Sequence, residues 1–261
     1  MKKGIIFTAL AVAALSVTSC APTISVEQAR VEANDIQAHY SAQNEDYKGG
    51  TALEVNYYII QEAKMDGMVE RVKSSGKIQF HVENYYMYGV FENEEYIKVP
   101  GIGEEKVTEK TEVSAGFKDS STYVLSSKSY SNGEVISDVS ESISMADFEV
   151  RIGEIESTIK ETYATINGVF STAVNAILQY VNYNQGILDQ LGIKLGSYGA
   201  GSLVITEDVK QGTASSHTVV EFKDYKLQEM YSKINATQNG ATVVNELKYT
   251  FNYNFSTKLP F

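Results

Sequence analysis

Apolar and polar residues alternate along most of this chain, and in two stretches the alternation gives way to helical spacing. The first helical stretch is announced by Ser25-Val26-Glu27-Gln28. That is the spacing of a capping box, in which the first and fourth side chains satisfy each other's backbone N–H groups. Val26, Ala29, Ala33, Ile36 and Tyr40 then recur every three or four residues and form one apolar helix face, ending near Gln43. Lys48-Gly49-Gly50 breaks the pattern.

Strands follow. Leu53, Val55, Tyr57 and Ile59 alternate with Glu54, Asn56 and Tyr58, and Asp66-Gly67 is a hairpin signal. Ser74-Ser75-Gly76 reads as a further turn. Ile78, Phe80, Val82, Tyr86, Tyr88 and Val90 keep one parity, which predicts a half-buried antiparallel strand or two joined strands. Glu92-Asn93-Glu94 reads as a turn into Tyr96–Val99, and residues 100–116 fit no single pattern. Residues 121–129 and 134–142 predict a hairpin about Asn132-Gly133.

From Met145 to Tyr183 the period becomes helical, through Ile152, Ile155, Ile159, Tyr163, Ile166, Phe170, Ala173, Val174, Ile177 and Val181. Gly168 is a candidate break between two helices. Residues 162–188 hold no charged side chain, yet Asn167, Asn175, Gln179, Asn182 and Asn184 punctuate them. That favours a helix enclosed by its own protein over a membrane span. A loop is expected over 192–201, then strands at 203–205, 217–225, 227–236 and 243–255, with Asn239-Gly240 as another hairpin turn. Strands in meander order around a helical insert at about 145–191 predict an α+β domain built on an antiparallel sheet.

Composition adds a location. Of 261 residues, 43% are hydrophobic, enough for a core, and the formal charge is −11. An acidic chain without clustered Lys and Arg is no nucleic-acid binder. Lys2 and Lys3, then an uncharged stretch from Ile5 to Val17, make a secretory signal. Val17-Thr18-Ser19-Cys20 resembles the bacterial lipobox, whose Cys is diacylglycerated and becomes the new N-terminus. Cys20 is the chain's single cysteine. The reading is therefore a signal peptide over 1–19, a lipidated tether over 20–24 and one domain over 25–261. That domain would be held by acyl chains such as palmitate on the outer face of a bacterial membrane. Residues 20–261 carry 20 basic and 33 acidic side chains, all of the excess lying before residue 189.

Candidate chemistry is sparse. His39, His81 and His217 sit in separate elements without metal-ligand spacing, and one Cys excludes a disulfide or a cysteine-based metal site. Ser74-Ser75-Gly76-Lys77 has the S-x-x-K spacing of acyl-enzymes but not the helix that would bring Lys beneath Ser. Gly101-Ile102-Gly103 lacks the helix start of a phosphate loop. Glu104-Glu105 and Glu154/Glu156 are acid pairs that nothing places across a cleft. No catalytic residue, cofactor or metal is expected, and the chain is read as a non-enzyme.

The leading amphipathic helix, the meander, the charge-free insert and the final alternating strand ending in Thr257-Lys258-Leu259-Pro260 resemble the LolA/LppX-like lipoprotein family. The resemblance implies a curved, unclosed half-barrel with helices in its mouth. It also implies a carrier of a lipid or other hydrophobic molecule. The apolar-ligand face would then comprise Val55, Tyr57, Ile59, Ile78, Phe80, Val82, Tyr249, Phe251 and Tyr253 from the sheet, with Phe170 and Ile177 from the lid. Its partners would be the membrane, through Cys20, a hydrophobic ligand and an envelope protein.

Two other classes remain. A surface interaction lipoprotein would expose loop aromatics such as Tyr85, Tyr86 and Tyr96. A small outer-membrane barrel would explain the shared parity of Tyr249, Phe251, Tyr253, Phe255, Leu259 and Phe261, although Pro260 suits a closing strand poorly.

Overall fold

A computed structural model describes residues 21–45 and 52–255, apart from the side chains of 42–45, 82, 162–165 and 167. The signal segment, Cys20, the Lys48-Gly49-Gly50 break and the Thr257–Phe261 tail lie outside the described residues.

The capping box forms as the sequence dictates. Gln28 N–H donates to Ser25 Oγ at 3.2 Å, and Ser25 N–H donates to Gln28 Oε1 at 3.0 Å. Helix α1 (Val26–Glu45) buries Val26, Ala29, Ala33 and Ile36, with Tyr40 against the same core.

Six strands follow as a meander: β1 (Ala52–Met65), β2 (Met68–His81), β3 (Tyr86–Val99), β4 (Gly103–Asp119), β5 (Thr122–Ser131) and β6 (Glu134–Ser144). Helix α2 (Met145–Val181) and the short α3 (Gln185–Gln190) come next. Five more strands follow among the described residues: β7 (Ile193–Gly196), β8 (Leu203–Gln211), β9 (Ala214–Lys223), β10 (Lys226–Gln238) and β11 (Ala241–Asn252). All pair antiparallel in one curved, unclosed sheet of order β6-β5-β4-β3-β2-β1-β11-β10-β9-β8-β7. The two meanders join where β1 meets β11, so β6 and β7 become opposite edges. The chain must cross from one edge to the other between them. Ten strand spacings amount to about 48 Å along the sheet, and the 37 residues of α2 reach about 55 Å. One long helix makes the crossing.

Several local expectations change. Ser74-Ser75-Gly76 is no turn but the middle of β2, and Glu92-Asn93-Glu94 is the middle of β3. Gly76 is tolerated in the strand because the Tyr57 ring lies over it. The single parity drawn from Ile78 to Val90 breaks at a 3-10 turn, Val82–Asn84, followed by Tyr85 at φ 51°. Phe80 pairs with Met87, so Tyr86 and Tyr88 face the opposite side of the sheet from Ile78 and Phe80. Residues 103–119 form a full strand, β4. Gly168 does not divide α2. The expected 192–201 loop contains β7, which is two-thirds of a typical strand length and carries its own glycine.

The β7 edge is covered by residues 22–24. Ile24 N–H donates to Leu195 O at 3.1 Å, and Ser197 N–H donates to Pro22 O at 3.1 Å. Residues 22–24 are therefore laid against the sheet. The β6 edge is exposed along nearly its whole length, with Val135, Ile136 and Val139 open to solvent.

Candidate functional site

Helix α2 packs on the apolar face of the sheet, and contacts at its start, middle and end fix its path. At its start, Ser144 caps the helix by accepting from Asp147 N–H. Phe148 then packs among Phe117, Tyr123 and Tyr85, with ring centroids 4.9, 4.8 and 5.3 Å away. Burial drives the Tyr123 phenol upward, and its hydroxyl donates to Tyr85 O at 2.7 Å. Midway, Phe170 meets Phe251 of β11 at 5.0 Å and Tyr40 of α1 at 6.5 Å. At its end, the Arg30 guanidinium of α1 donates twice to Val181 O, at 3.2 and 3.0 Å. A cation on the last carbonyls complements the negative end of the helix dipole. Tyr180 donates to Glu207 of β8 at 3.1 Å, and burial, then that carboxylate, push its phenol up to about 12.

Five of the ligand-face residues expected from sequence, Val55, Phe80, Phe251, Phe170 and Ile177, lie in one buried cluster. Ile78, Tyr249 and Tyr253 pack at its margin. Tyr253 also donates to Leu227 O at 3.0 Å. Tyr57 and Ile59 continue the same face beyond the helix and are half-buried. Val82 falls in the 3-10 turn, and its side chain is outside the described residues. Side chains of α2 thus occupy the space above Phe251.

At the boundary between covered and uncovered sheet stand Tyr57 and Tyr249, cross-strand partners with rings 6.2 Å apart. Burial raises both phenols, and Tyr249 adds to the effect on Tyr57. Neither hydroxyl has a hydrogen-bond partner among the described residues. Aromatic body below and free hydroxyl above is an amphipathic rim.

The remaining sequence candidates scatter. His39 stacks on Tyr225 at 4.6 Å, and His217 Nδ1 lies 2.6 Å from Asp208 on an exposed surface. Among the described residues no group of His, Cys, Asp and Glu is placed to hold a metal. Ser74 and Lys77 project from opposite faces of β2, Ser74 donating to Asn93 at 2.6 Å and Lys77 pairing with Glu54 at 3.0 Å. Glu104 accepts from Tyr96, and Glu156 pairs with Lys160 one helical turn away. The aromatics expected on exposed loops are elsewhere. Tyr86 is buried, Tyr85 packs on Phe148, and Tyr96 lies on β3 beneath Arg71. Among the described residues no helix is long and apolar enough to cross a membrane.

The grouping on the polar face is one that no local sequence pattern announces. There Gln79 donates to Glu54 and accepts from the buried Tyr86 hydroxyl at 2.9 Å. The misplaced parity after residue 82 hid this grouping, because it put Tyr86 on the apolar side.

No protein-family model matches the chain, and no curated protein matches it. Among solved structures, it is similar to a β-barrel-like protein of a domain of unknown function from Brucella abortus. Identity is 7% and the TM-score 0.25, over 78% of this chain and 99% of that one. An S-type phycobiliprotein lyase from Guillardia theta aligns with 9% identity and a TM-score of 0.18, over 90% of this chain and 95% of that one. The attachment invasion locus protein of Yersinia pestis aligns with 8% identity and a TM-score of 0.18, over 78% of this chain and 97% of that one. Likenesses at these TM-scores carry no argument about what the chain does.

Proposed function

We propose that the chain is a lipid-anchored envelope protein that holds an acyl chain or similar apolar molecule between α2 and the apolar face of the sheet. The observation that carries the reading is the Tyr57–Tyr249 pair. The two rings continue the buried surface of Phe251 past the cover of α2, with free hydroxyls at its rim. An acyl chain entering there would lie along Phe251 and displace part of α2. The two phenols would donate to its ester or carboxyl oxygens. The uncharged run over 162–188 supports a helix that exchanges one apolar surface for another.

The anchor fits the same geometry. Residues 22–24 lie on β7, so acyl chains on Cys20 would leave the fold at that edge. Beside it, Ile187 and Leu191 around α3 and Tyr198 after β7 are exposed apolar side chains. They would rest on the membrane surface.

The reading is tested with a fatty acid carrying a photoreactive diazirine in its chain. On irradiation it is expected to label peptides containing Phe170 and Tyr249–Phe251. No labelling, or labelling confined to other surfaces, would overturn it.

A further inference from the structure

The face of the sheet opposite α2 holds a pocket. Tyr58 follows Tyr57 on β1 and therefore points to that face. The strand registers align Tyr58, Ser75, Glu92, Lys110 and Tyr130 in one row across β1 to β5. The adjoining row carries Lys73, Glu94 and Thr108. Together they line a pocket of about 450 Å3, within the range of roughly 300–1,000 Å3 that small ligands use. Tyr58 and Tyr130 are its aromatic walls, and the short Ser75 opens space between them. Asn132 fixes the rim by extending the β4–β5 ladder: its N–H donates to Thr108 O at 2.7 Å and its Oδ1 accepts from Thr108 N–H at 2.9 Å.

The charges in this pocket are largely spent on one another. Glu94 takes Lys106 at 2.8 Å, Arg71 at 3.0 Å and Lys73 at 3.6 Å. The hydrogen bond from Lys106, opposed by burial and aided by Lys73 and Arg71, holds its carboxyl below the ordinary value. Lys110 pairs with Glu112 at 2.7 Å and lies over the Tyr130 ring at 5.5 Å. No cation is left over for a phosphate, and Lys110 already occupies a ring that a ligand cation would use. The Glu92 carboxylate and the Ser75 and Tyr58 hydroxyls make no hydrogen bond or ion pair among the described residues, and the Lys110 charge lies near Glu92. These are acceptors and hydroxyl donors set between two ring faces.

We propose that this pocket binds a neutral saccharide unit. Its apolar C–H face would lie on Tyr58, and its hydroxyls would donate to Glu92. The site is on the opposite face from the Tyr57–Tyr249 rim, so the proposal stands or falls independently of acyl-chain carriage.

The test uses the full chain in micelles of a detergent without a sugar headgroup. Saturation-transfer NMR and calorimetry are run against a panel of neutral mono- to tetrasaccharides, with spermidine and inorganic phosphate as charged probes. At least one neutral saccharide is expected to bind, with affinity lowered roughly ten-fold or more in Tyr58→Ala and in Glu92→Gln. Tyr58→Phe is expected to lose less, since it keeps the ring. Thermal melts show that each variant is folded, and Glu154→Gln, on the exposed side of α2, serves as the off-site control. Three results would overturn the proposal: no saccharide binds, binding is unchanged in both variants, or only a charged probe binds.

Discussion

Tyr57 lies across the backbone of Gly76, its cross-strand partner on β2. A Cβ at Gly76 would come within 2.5 Å of Tyr57 Cε1 and 2.7 Å of Val90 O. The ring takes the place of the missing side chain, and the close approach of β3 leaves no second place for it. Gly76→Ala is therefore expected to destabilise the fold by about 1–3 kcal/mol, as overpacking does. The cost should be smaller in a Tyr57→Ala background, where half of the conflict is gone. A double-mutant cycle by chemical denaturation measures the difference.

This pair also shows where the sequence could be read and where it could not. Alternation over 53–59 placed Tyr57 on the apolar side because one-sided burial imprints a period of two. The glycine opposite looked like a turn, since a glycine between serines usually is one. Its actual role depends on a residue 19 positions earlier, and no local pattern reports that. The same limit applies to β3, where Glu92 and Glu94 are polar because they line the polar face and Asn93 because it bonds Ser74 across the strands, not because the chain bends. The order of edges was likewise hidden: the pairing of β1 with β11 joins the two ends of the chain. The capping box at Ser25, the Asn132-Gly133 hairpin and the apolar stripe of α2 were legible, because each is decided by neighbours within a few residues.

Arg30 latches the lid. Its two hydrogen bonds to Val181 O tie the end of α2 to α1. Arg30→Ala is expected to cost about 1 kcal/mol and to speed amide hydrogen exchange over the last turn of α2 while leaving the turn at Ser144 unchanged. Exchange monitored by mass spectrometry separates the two ends. Equal acceleration along the whole chain would mean that Arg30 supports global stability alone.

Two carboxylates respond to pH in opposite senses. Burial raises Glu54, but hydrogen bonds from Gln79, Lys77 and Asn56 and the charge of Lys77 outweigh it and hold the carboxyl below 4.5. Its ionised form therefore stabilises the fold at neutral pH, and that contribution fades as pH falls through its lowered value. Glu221 is raised by burial first and by neighbouring Glu229 second. It favours the protonated form in the fold, so it weakens the protein at neutral pH and is relieved as pH falls through its raised value. Glu54→Gln is expected to lower the melting temperature at pH 7 and Glu221→Gln to raise it. On acidification the Glu221→Gln difference should shrink first, as pH falls through the raised value, and the Glu54→Gln difference only at lower pH, below the ordinary carboxylate value. Melting curves of the three proteins across pH decide this.

Anchoring has its own test. Grown with an alkyne-bearing fatty acid, a bacterial host is expected to label the protein through Cys20 and to leave Cys20→Ala unlabelled. Label on the variant, or none on the parent, would remove the anchor from the account.

Acyl-chain carriage is tested most directly by native mass spectrometry of residues 21–261, purified without detergent and followed by organic extraction of whatever co-purifies. The account predicts a population heavier by one lipid, lost on extraction and restored by adding the extracted lipid back. A protein that is empty as isolated, and that also fails to take up a fluorescent fatty acid, would contradict it.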